Sequence, residues 1–170
     1  NKAVSAAKSL HGLNAQVHVQ TYSQFMDEAH LRQVLPDYDI VIDATDQLEN
    51  KFLINDVCVS AEKPFVHGGI TGFSGQVMTY VPEKGPCYRC IFGEVPEDNA
   101  PAPIPVIGVT AGIIGTIQAA EAIRYLLGIP SLLTGKLLVL DGLRMQFRTV
   151  SFPHVSEHCP LHTRKGVTDL

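Results

Sequence analysis

The chain has 170 residues, of which 45% are hydrophobic and 18% charged, and its formal net charge is −4. This length predicts a single domain over residues 1–170, because the chain is too short for two domains that each have a full hydrophobic core. The Lys and Arg residues form no basic stripe, which argues against nucleic acid or an anionic membrane as a partner. Because there is neither a bilayer-length apolar run nor a signal peptide, we expect a soluble, cytoplasmic protein.

Helical and strand patterns alternate through the first part of the chain. There is no initiator Met, and the opening residues resemble a helix interior, so we expect a fragment of a longer protein. In chain order, the patterns predict a helix over 1–10, a strand over 17–22, a helix over 25–34, a strand over 38–43, a helix over 47–61 and a strand over 65–67. This alternation is typical of a doubly wound α/β sheet.

The pattern then changes. After a glycine-rich turn, it predicts an alternating strand over 76–81, an irregular loop over 94–105, a long helix over 110–127, a hairpin of strands over 136–141 and 145–150, and a frayed end from 163. In the long helix, Gly112, Gly115 and Ala119 would allow close packing, either against the sheet or in a dimer interface. The fold class predicted is therefore α/β, a Rossmann-like sheet extended by antiparallel strands.

Two short motifs far apart in the chain have the spacing of zinc ligands. Cys87 and Cys90 form one pair, and Cys159 and His162 form the other. Two such turns complete a tetrahedral Cys3His shell, which would be a closed structural site. His158, beside Cys159, is an alternative fourth ligand, and unrelated buried thiols are the alternative to any metal site.

A second set of polar residues follows the predicted strand over 38–43. Asp43 and Asp46 would lie at the carboxyl edge of a parallel sheet, where ligands bind. An exposed Asp46 could hold Mg²⁺ on a nucleotide phosphate, because this cation prefers carboxylate oxygen. Alternatively, Thr45 or Asp46 caps the helix that follows.

Five segments together resemble one known family. In chain order, they are residues 39–46, 68–76, 86–90, 112–123 and 159–162. Their combination is similar to the MoeB/ThiF/HesA family of adenylyltransferases, relatives of the ubiquitin-activating enzymes, and the resemblance covers nearly the whole chain. It implies the C-terminal part of an adenylyltransferase fold, without the N-terminal nucleotide-binding segment. It also implies ATP and Mg²⁺ as cofactors, a structural Zn²⁺ and a homodimer.

The resemblance also implies roles for individual residues. Asp46 matches the acidic residue that coordinates Mg²⁺ and positions ATP, and Lys2 matches the lysine that neutralises the phosphates. Thr45 and Gln47 flank Asp46 in the cofactor site, although relatives often have Asn in place of Gln47. Lys51 lies where relatives often have Arg. Lys2 and Lys51 could instead be solvated helix residues.

Other residues limit the chemistry. His162 replaces the family's usual cysteine, a change that zinc accepts. The loop over 94–105 contains no cysteine for a thioester, and the apolar setting of Cys58 indicates an inert thiol, so we expect adenylation without a thioester. His18 and His67 are interpreted as structural residues, because the adenylation mechanism needs neither as a base.

The function implied is adenylation of the C-terminal glycine of a ubiquitin-like sulfur carrier with a Gly-Gly end. The fragment by itself is expected to be inactive, and the loop over 94–105 is a candidate flap over the carrier's tail. The alternative is a catalytically silent, zinc-clasped scaffold or dimerisation domain. A nicotinamide-dependent oxidoreductase is disfavoured, since no dinucleotide fingerprint is visible.

Overall fold

The computed structural model describes residues 1–95 and 105–162. The helices are α1 (Lys2–Leu13), α2 (Glu28–Val34), α3 (Leu48–Ser60), α4 (Tyr88–Phe92) and α5 (Gly108–Leu126), and a 3-10 turn (Leu35–Asp37) follows α2. The strands are β1 (Val41–Asp43), β2 (Phe65–Thr71), β3 (Ser74–Tyr80), β4 (Lys136–Asp141) and β5 (Gln146–Ser151). Within the described ranges, no helix has the length and apolar character needed to cross a membrane.

The strands form one mixed sheet in the order β1-β2-β3-β4-β5. Among the five described strands, only β1 and β2 run parallel, and Asp43 lies opposite His67 in their register. The remaining pairs are antiparallel. This confirms an α/β fold in which a parallel element is extended by antiparallel strands.

Helices cover both faces of the sheet. Because successive strand residues point to opposite faces, neighbouring residues of one strand belong to different cores. Phe65 and Met78 pack in one core with residues of α3 and α4. Val66 and Val77, their sequence neighbours, pack in a second core with Ile114 of α5. The two cores meet across the centre of the sheet, so β2 and β3 are buried on both faces.

The predicted strand over 17–22 is wrong. These residues pair with no strand in the described part of the chain, and Val17 is 53% exposed. Alternation of apolar residues favours a strand only where a neighbouring strand supplies hydrogen bonds and an apolar surface to bury. Periodicity alone does not provide either of these.

Other differences concern the ends of elements. Helix α2 begins at Glu28 because the Asp27 carboxylate accepts a hydrogen bond from the His30 backbone at 3.0 Å, a side-chain cap. Strand β2 continues to Thr71, through glycines that indicated a turn, because each of these residues pairs with β3. The short helix α4, which begins directly after Cys87 and contains Cys90, was missing from the prediction. Residues 96–104 of the predicted loop and the end from residue 163 lie outside the described residues.

The small residues of α5 do not pack against the sheet. A Cβ atom added to Gly112 or Gly115 would meet no atom within 4 Å in the described structure. The side of α5 that is buried instead carries Ile114, Gln118 and Glu121. Of the two roles considered for the small residues, close packing on the sheet is therefore excluded.

Gly68 provides the first testable prediction. A Cβ atom at this position would lie 2.4 Å from the Gln118 side chain. That side chain is buried and donates to the carbonyl oxygens of Asp43 and Val66, at 2.7 and 3.2 Å. Gly68→Ala should therefore lower the free energy of unfolding by about 2–3 kcal/mol, through overpacking and weakened hydrogen bonds.

Gly12 is the matched control for this substitution. It lies inside α1, and an added Cβ would meet nothing within 4 Å. Gly12→Ala should stabilise the protein by up to about 1 kcal/mol, because alanine loses less backbone entropy in a helix. Urea unfolding of both variants measures the two effects. Equal effects of the two substitutions would contradict the prediction.

Candidate nucleotide and metal sites

The turn between β1 and α3 carries three of the predicted site residues, Thr45, Asp46 and Gln47. Helix α3 begins after Gln47, which occupies the N-cap position but makes no side-chain capping bond. Asp46 is exposed, and its carboxylate forms no hydrogen bond with a described residue. The alternative that Thr45 or Asp46 caps the helix is therefore wrong. The Asp46 carboxylate is open to a ligand at the carboxyl end of a parallel strand.

Asp43 lies beneath this turn and is the centre of a polar network, being only 2% exposed. Its Oδ1 accepts from the Thr45 backbone at 3.0 Å and from the Thr45 hydroxyl at 2.7 Å. Its Oδ2 accepts from Nδ1 of His67 at 2.9 Å and from Nζ of Lys51 at 3.3 Å. Lys51 Nζ also donates to the Gly68 carbonyl at 2.7 Å. Lys51 is thus a buried ion-pair partner, and the interpretation as a solvated helix residue is wrong.

The charges in this network follow from its contacts. Burial raises the pKa of Asp43, but hydrogen bonding from His67, the charge of Lys51 and the bond from Thr45 outweigh it and lower that pKa to about 2. Burial lowers the pKa of His67. Since Asp43 only accepts, Nδ1 of His67 carries the hydrogen, and Nε2 is left to accept from Gln76 at 3.3 Å. The network therefore contains one carboxylate, one ammonium group and a neutral imidazole.

Lys2 is the predicted site residue that the structure does not connect to the others. It is exposed and is the first residue of α1. Among the described residues, it forms no hydrogen bond or ion pair with Thr45, Asp46 or Gln47. Its long side chain is free to reach an anion, and its role stays a prediction.

The predicted metal ligands come together in the structure. The ligand atoms of Cys87, Cys90, Cys159 and His162 all lie within 4.8 Å of one another. The Cys87 sulfur is 3.7 Å from the sulfurs of both Cys90 and Cys159. Two thiolates on a tetrahedral Zn²⁺ with bonds of about 2.3 Å are separated by about 3.8 Å, so the spacing fits this ion.

His162 provides an independent test of the fit. Its Nε2 atom is buried and has no hydrogen-bond partner, a costly arrangement for a polar nitrogen unless it binds a ligand. His158, the alternative ligand, is exposed and is not part of the cluster. The structure thus supports His162 as the fourth ligand of a site that could hold a metal ion.

The metal cluster is packed against the polar network through α4. The Tyr88 ring lies 4.6 Å from the His67 ring and 5.0 Å from the Phe52 ring of α3. The Tyr88 backbone N–H donates to the buried Asn55 side chain at 2.8 Å. Arg89 forms a bidentate ion pair with Asp56 of α3, at 2.6 and 2.7 Å. These contacts hold α4, and with it the candidate metal ligands Cys87 and Cys90, against α3.

Gln118 and Asn55 are two of the buried polar residues that sequence reasoning missed. Gln118 is 3% exposed and Asn55 is fully buried, and each tethers backbone groups of another element. Both fall on buried helix faces that also carry other polar residues, namely Lys51 on α3 and Thr110 and Glu121 on α5. A polar residue at an inward position of a predicted helix was the available signal, although it does not identify the partner.

Cys58 is buried and lies outside the metal cluster, at 1% exposure. Burial raises its pKa to about 12, so it stays a protonated thiol at neutral pH. This is the inert setting that its apolar helical neighbours indicated.

Several named proteins are similar to this chain in sequence. The chain is 40% identical to the SAMP-activating enzyme E1 of Haloferax volcanii, over 99% of this chain and 63% of that protein. It is 38% identical to the sulfur carrier protein adenylyltransferase of Thermus thermophilus, over 94% of this chain and 62% of that protein. It is 36% identical to the adenylyltransferase and sulfurtransferase MOCS3 of Culex quinquefasciatus, over 93% of this chain and 37% of that protein. The chain thus spans less than two thirds of these relatives.

A solved structure and a family model also match this chain. A crystal structure of MccB from E. coli with MccA-N7isoASN superposes with a TM-score of 0.80 at 19% identity, over 95% of this chain and 51% of MccB, which shows a common fold. The ThiF family model matches residues 1–161. The chain therefore belongs to the ThiF family.

Proposed function

We propose that the protein containing this chain adenylates the C-terminal glycine of a ubiquitin-like sulfur carrier. The observation that carries the proposal is the exposed Asp46 carboxylate at the carboxyl end of β1, held on a turn that a buried ion network anchors. Relatives named as a sulfur carrier adenylyltransferase and an activating enzyme support the same reaction.

The reaction is a nucleotidyl transfer. A carboxylate oxygen of the carrier attacks the α-phosphorus of ATP, and the bond from that phosphorus to the bridging oxygen breaks, releasing pyrophosphate. Two anions must approach each other, so the site needs positive charge more than it needs a base. Mg²⁺, when bound, would neutralise phosphate charge. In this proposal, Asp46 holds that cation, Lys2 neutralises phosphate, and Thr45 and Gln47 line the nucleotide.

The remaining parts of the proposal concern the whole protein. Zn²⁺ bound by Cys87, Cys90, Cys159 and His162 would fill its coordination shell and leave no position for substrate, so its role is structural. We place this chain in the C-terminal part of the adenylating fold, with nucleotide contacts from an N-terminal segment. A homodimer, a cytoplasmic location and a Gly-Gly carrier belong to the same proposal.

Pyrophosphate exchange into ATP tests this function directly. The full-length protein should catalyse exchange when a Gly-Gly carrier is present, at a rate at least about tenfold above that with a carrier lacking its last glycine. Adenylation without a thioester also predicts that no carrier adduct cleavable by an added thiol forms on Cys58. Absence of exchange with a panel of Gly-Gly carriers, in a folded and zinc-loaded protein, would overturn the enzymatic proposal and favour a silent scaffold.

A further inference from the structure

The Asp43 network is more elaborate than packing of the sheet requires. The carboxylate accepts four hydrogen bonds, from Thr45 twice, from His67 and from Lys51. A buried ion pair of this kind is weak evidence for stability, because its desolvation can exceed its Coulombic gain. A network that adds little net stability but fixes one geometry is suited to holding a functional turn.

The network holds the turn from both ends. On one side, both bonds from Thr45 to Oδ1 fix the chain one residue before Asp46. On the other side, Lys51 belongs to the first turns of α3, and its backbone N–H donates to the Gln47 carbonyl at 3.3 Å. The Lys51 ammonium group also donates a hydrogen bond to Oδ2 of Asp43. Asp46 thus lies between two anchors that share one carboxylate.

Neighbouring elements hold that carboxylate in turn. Gln118 of α5 donates to the Asp43 backbone oxygen at 2.7 Å, and Lys51 is also tied to the Gly68 carbonyl of β2. His67 is fully buried, between Asp43 and Gln76, with the Tyr88 ring against it. Rotation of the carboxylate would break several of these bonds at once. Asp43 therefore has a single orientation, set by three strands and three helices.

We propose that Asp43 and Lys51 are positioning residues that hold the exposed Asp46 carboxylate in the geometry needed for Mg²⁺ and nucleotide. Neither residue needs to touch the ligand. The proposal rests on the adenylation function, and it adds that loss of the network raises the Mg²⁺ requirement of the reaction rather than only lowering stability.

The test uses Lys51→Met in the full-length protein, with pyrophosphate exchange measured against Mg²⁺ concentration. Loss of the anchor should raise the half-saturating Mg²⁺ concentration at least about fivefold and lower the maximal rate at least about tenfold. Lys51→Arg keeps the charge and should restore both values to within about threefold of the original. If Lys51→Met does not fold, Thr45→Val removes one bond and should raise the Mg²⁺ requirement about threefold.

Arg124→Met is the matched control. Arg124 pairs with the buried Glu121 at 2.6 Å and binds the carbonyls of Pro130 and Ser131, without a bond to the turn. Its loss should lower thermal stability but leave the Mg²⁺ requirement unchanged. If Lys51→Met behaves like this control, with lower stability and an unchanged Mg²⁺ requirement, the positioning role is overturned.

A readout that does not need activity separates this proposal from the proposed function. The Thr45 amide is hydrogen-bonded to Asp43, so its hydrogen exchange reports the anchor. Lys51→Met should accelerate this exchange at least about tenfold, and Arg124→Met should not. If the unmodified protein shows no pyrophosphate exchange, the adenylation function fails, and the Thr45 exchange rate alone then supports or refutes the anchoring of the turn.

Discussion

Asp46→Asn in the full-length protein is expected to lower the maximal rate of pyrophosphate exchange by about 10²–10³-fold. The substitution keeps the size of the side chain but removes the charge that would hold Mg²⁺. Asp46 is exposed and makes no hydrogen bond with a described residue, so the free energy of unfolding should change by less than about 0.5 kcal/mol. A large loss of rate without loss of stability would identify a ligand-binding role.

Asp39→Asn is the control for this substitution. Asp39 is also exposed, shortly before β1, and its replacement changes the net charge by the same amount. Exchange by this variant should remain within about twofold of the original, because distant exposed charges are screened by salt. Retention of the exchange rate in Asp46→Asn, or an equal loss in both variants, would contradict the role assigned to Asp46.

The second large effect is expected at the metal cluster. The purified protein should contain one zinc per chain, and Cys159→Ala should remove most of it and lower Tm by more than about 10 °C. The cluster joins the segment after β3 to the segment after β5, through Cys87 and Cys159. The free energy of metal binding therefore stabilises contacts between segments that lie far apart in the chain.

Three further substitutions separate the metal ligands from their neighbours. His162→Cys should keep the zinc, because thiolate is also a ligand, whereas His158→Ala should leave zinc and Tm unchanged. Cys58→Ala removes a buried thiol outside the cluster and should lower stability by about 1 kcal/mol without loss of zinc. Elemental analysis with thermal unfolding measures all of these. Zinc near zero in the unmodified protein, or a Cys159→Ala variant with unchanged zinc and Tm, would refute the cluster.

Local pattern was sufficient for some parts of the fold. Helix α5 has apolar residues at helical spacing along its length, and the Asp141-Gly142 turn separates two runs of strand-forming residues. Both elements were therefore predicted within two residues of their bounds. The segment 17–22 shows a similar alternation and forms no strand in the described structure. Local sequence encodes the direction of side chains, but strand pairing also needs a partner.

The two candidate sites differ in how far they depend on local sequence. The metal cluster was predictable because two residues separated by two others can converge on one ion from a tight turn, and two such pairs fill a tetrahedral shell. The Asp43 network was not, because its members come from β1, α3, β2 and α5 and are joined only when those elements pack. For Lys51, the position on a predicted helix did not distinguish a buried lysine from a solvated one.

The sequence by itself thus determined the class of fold, the four candidate metal ligands up to the choice between His158 and His162, and the acidic residue after β1 that the structure shows to be exposed. These depend on spacing along the chain and on the periods of helix and strand. The tertiary structure decided which histidine joins the cluster, that Gln47 and not Asp46 occupies the helix cap, and that Lys51 is buried against Asp43. Each of these is a matter of burial and of contact between distant segments, which hydrophobic packing sets and no local pattern contains.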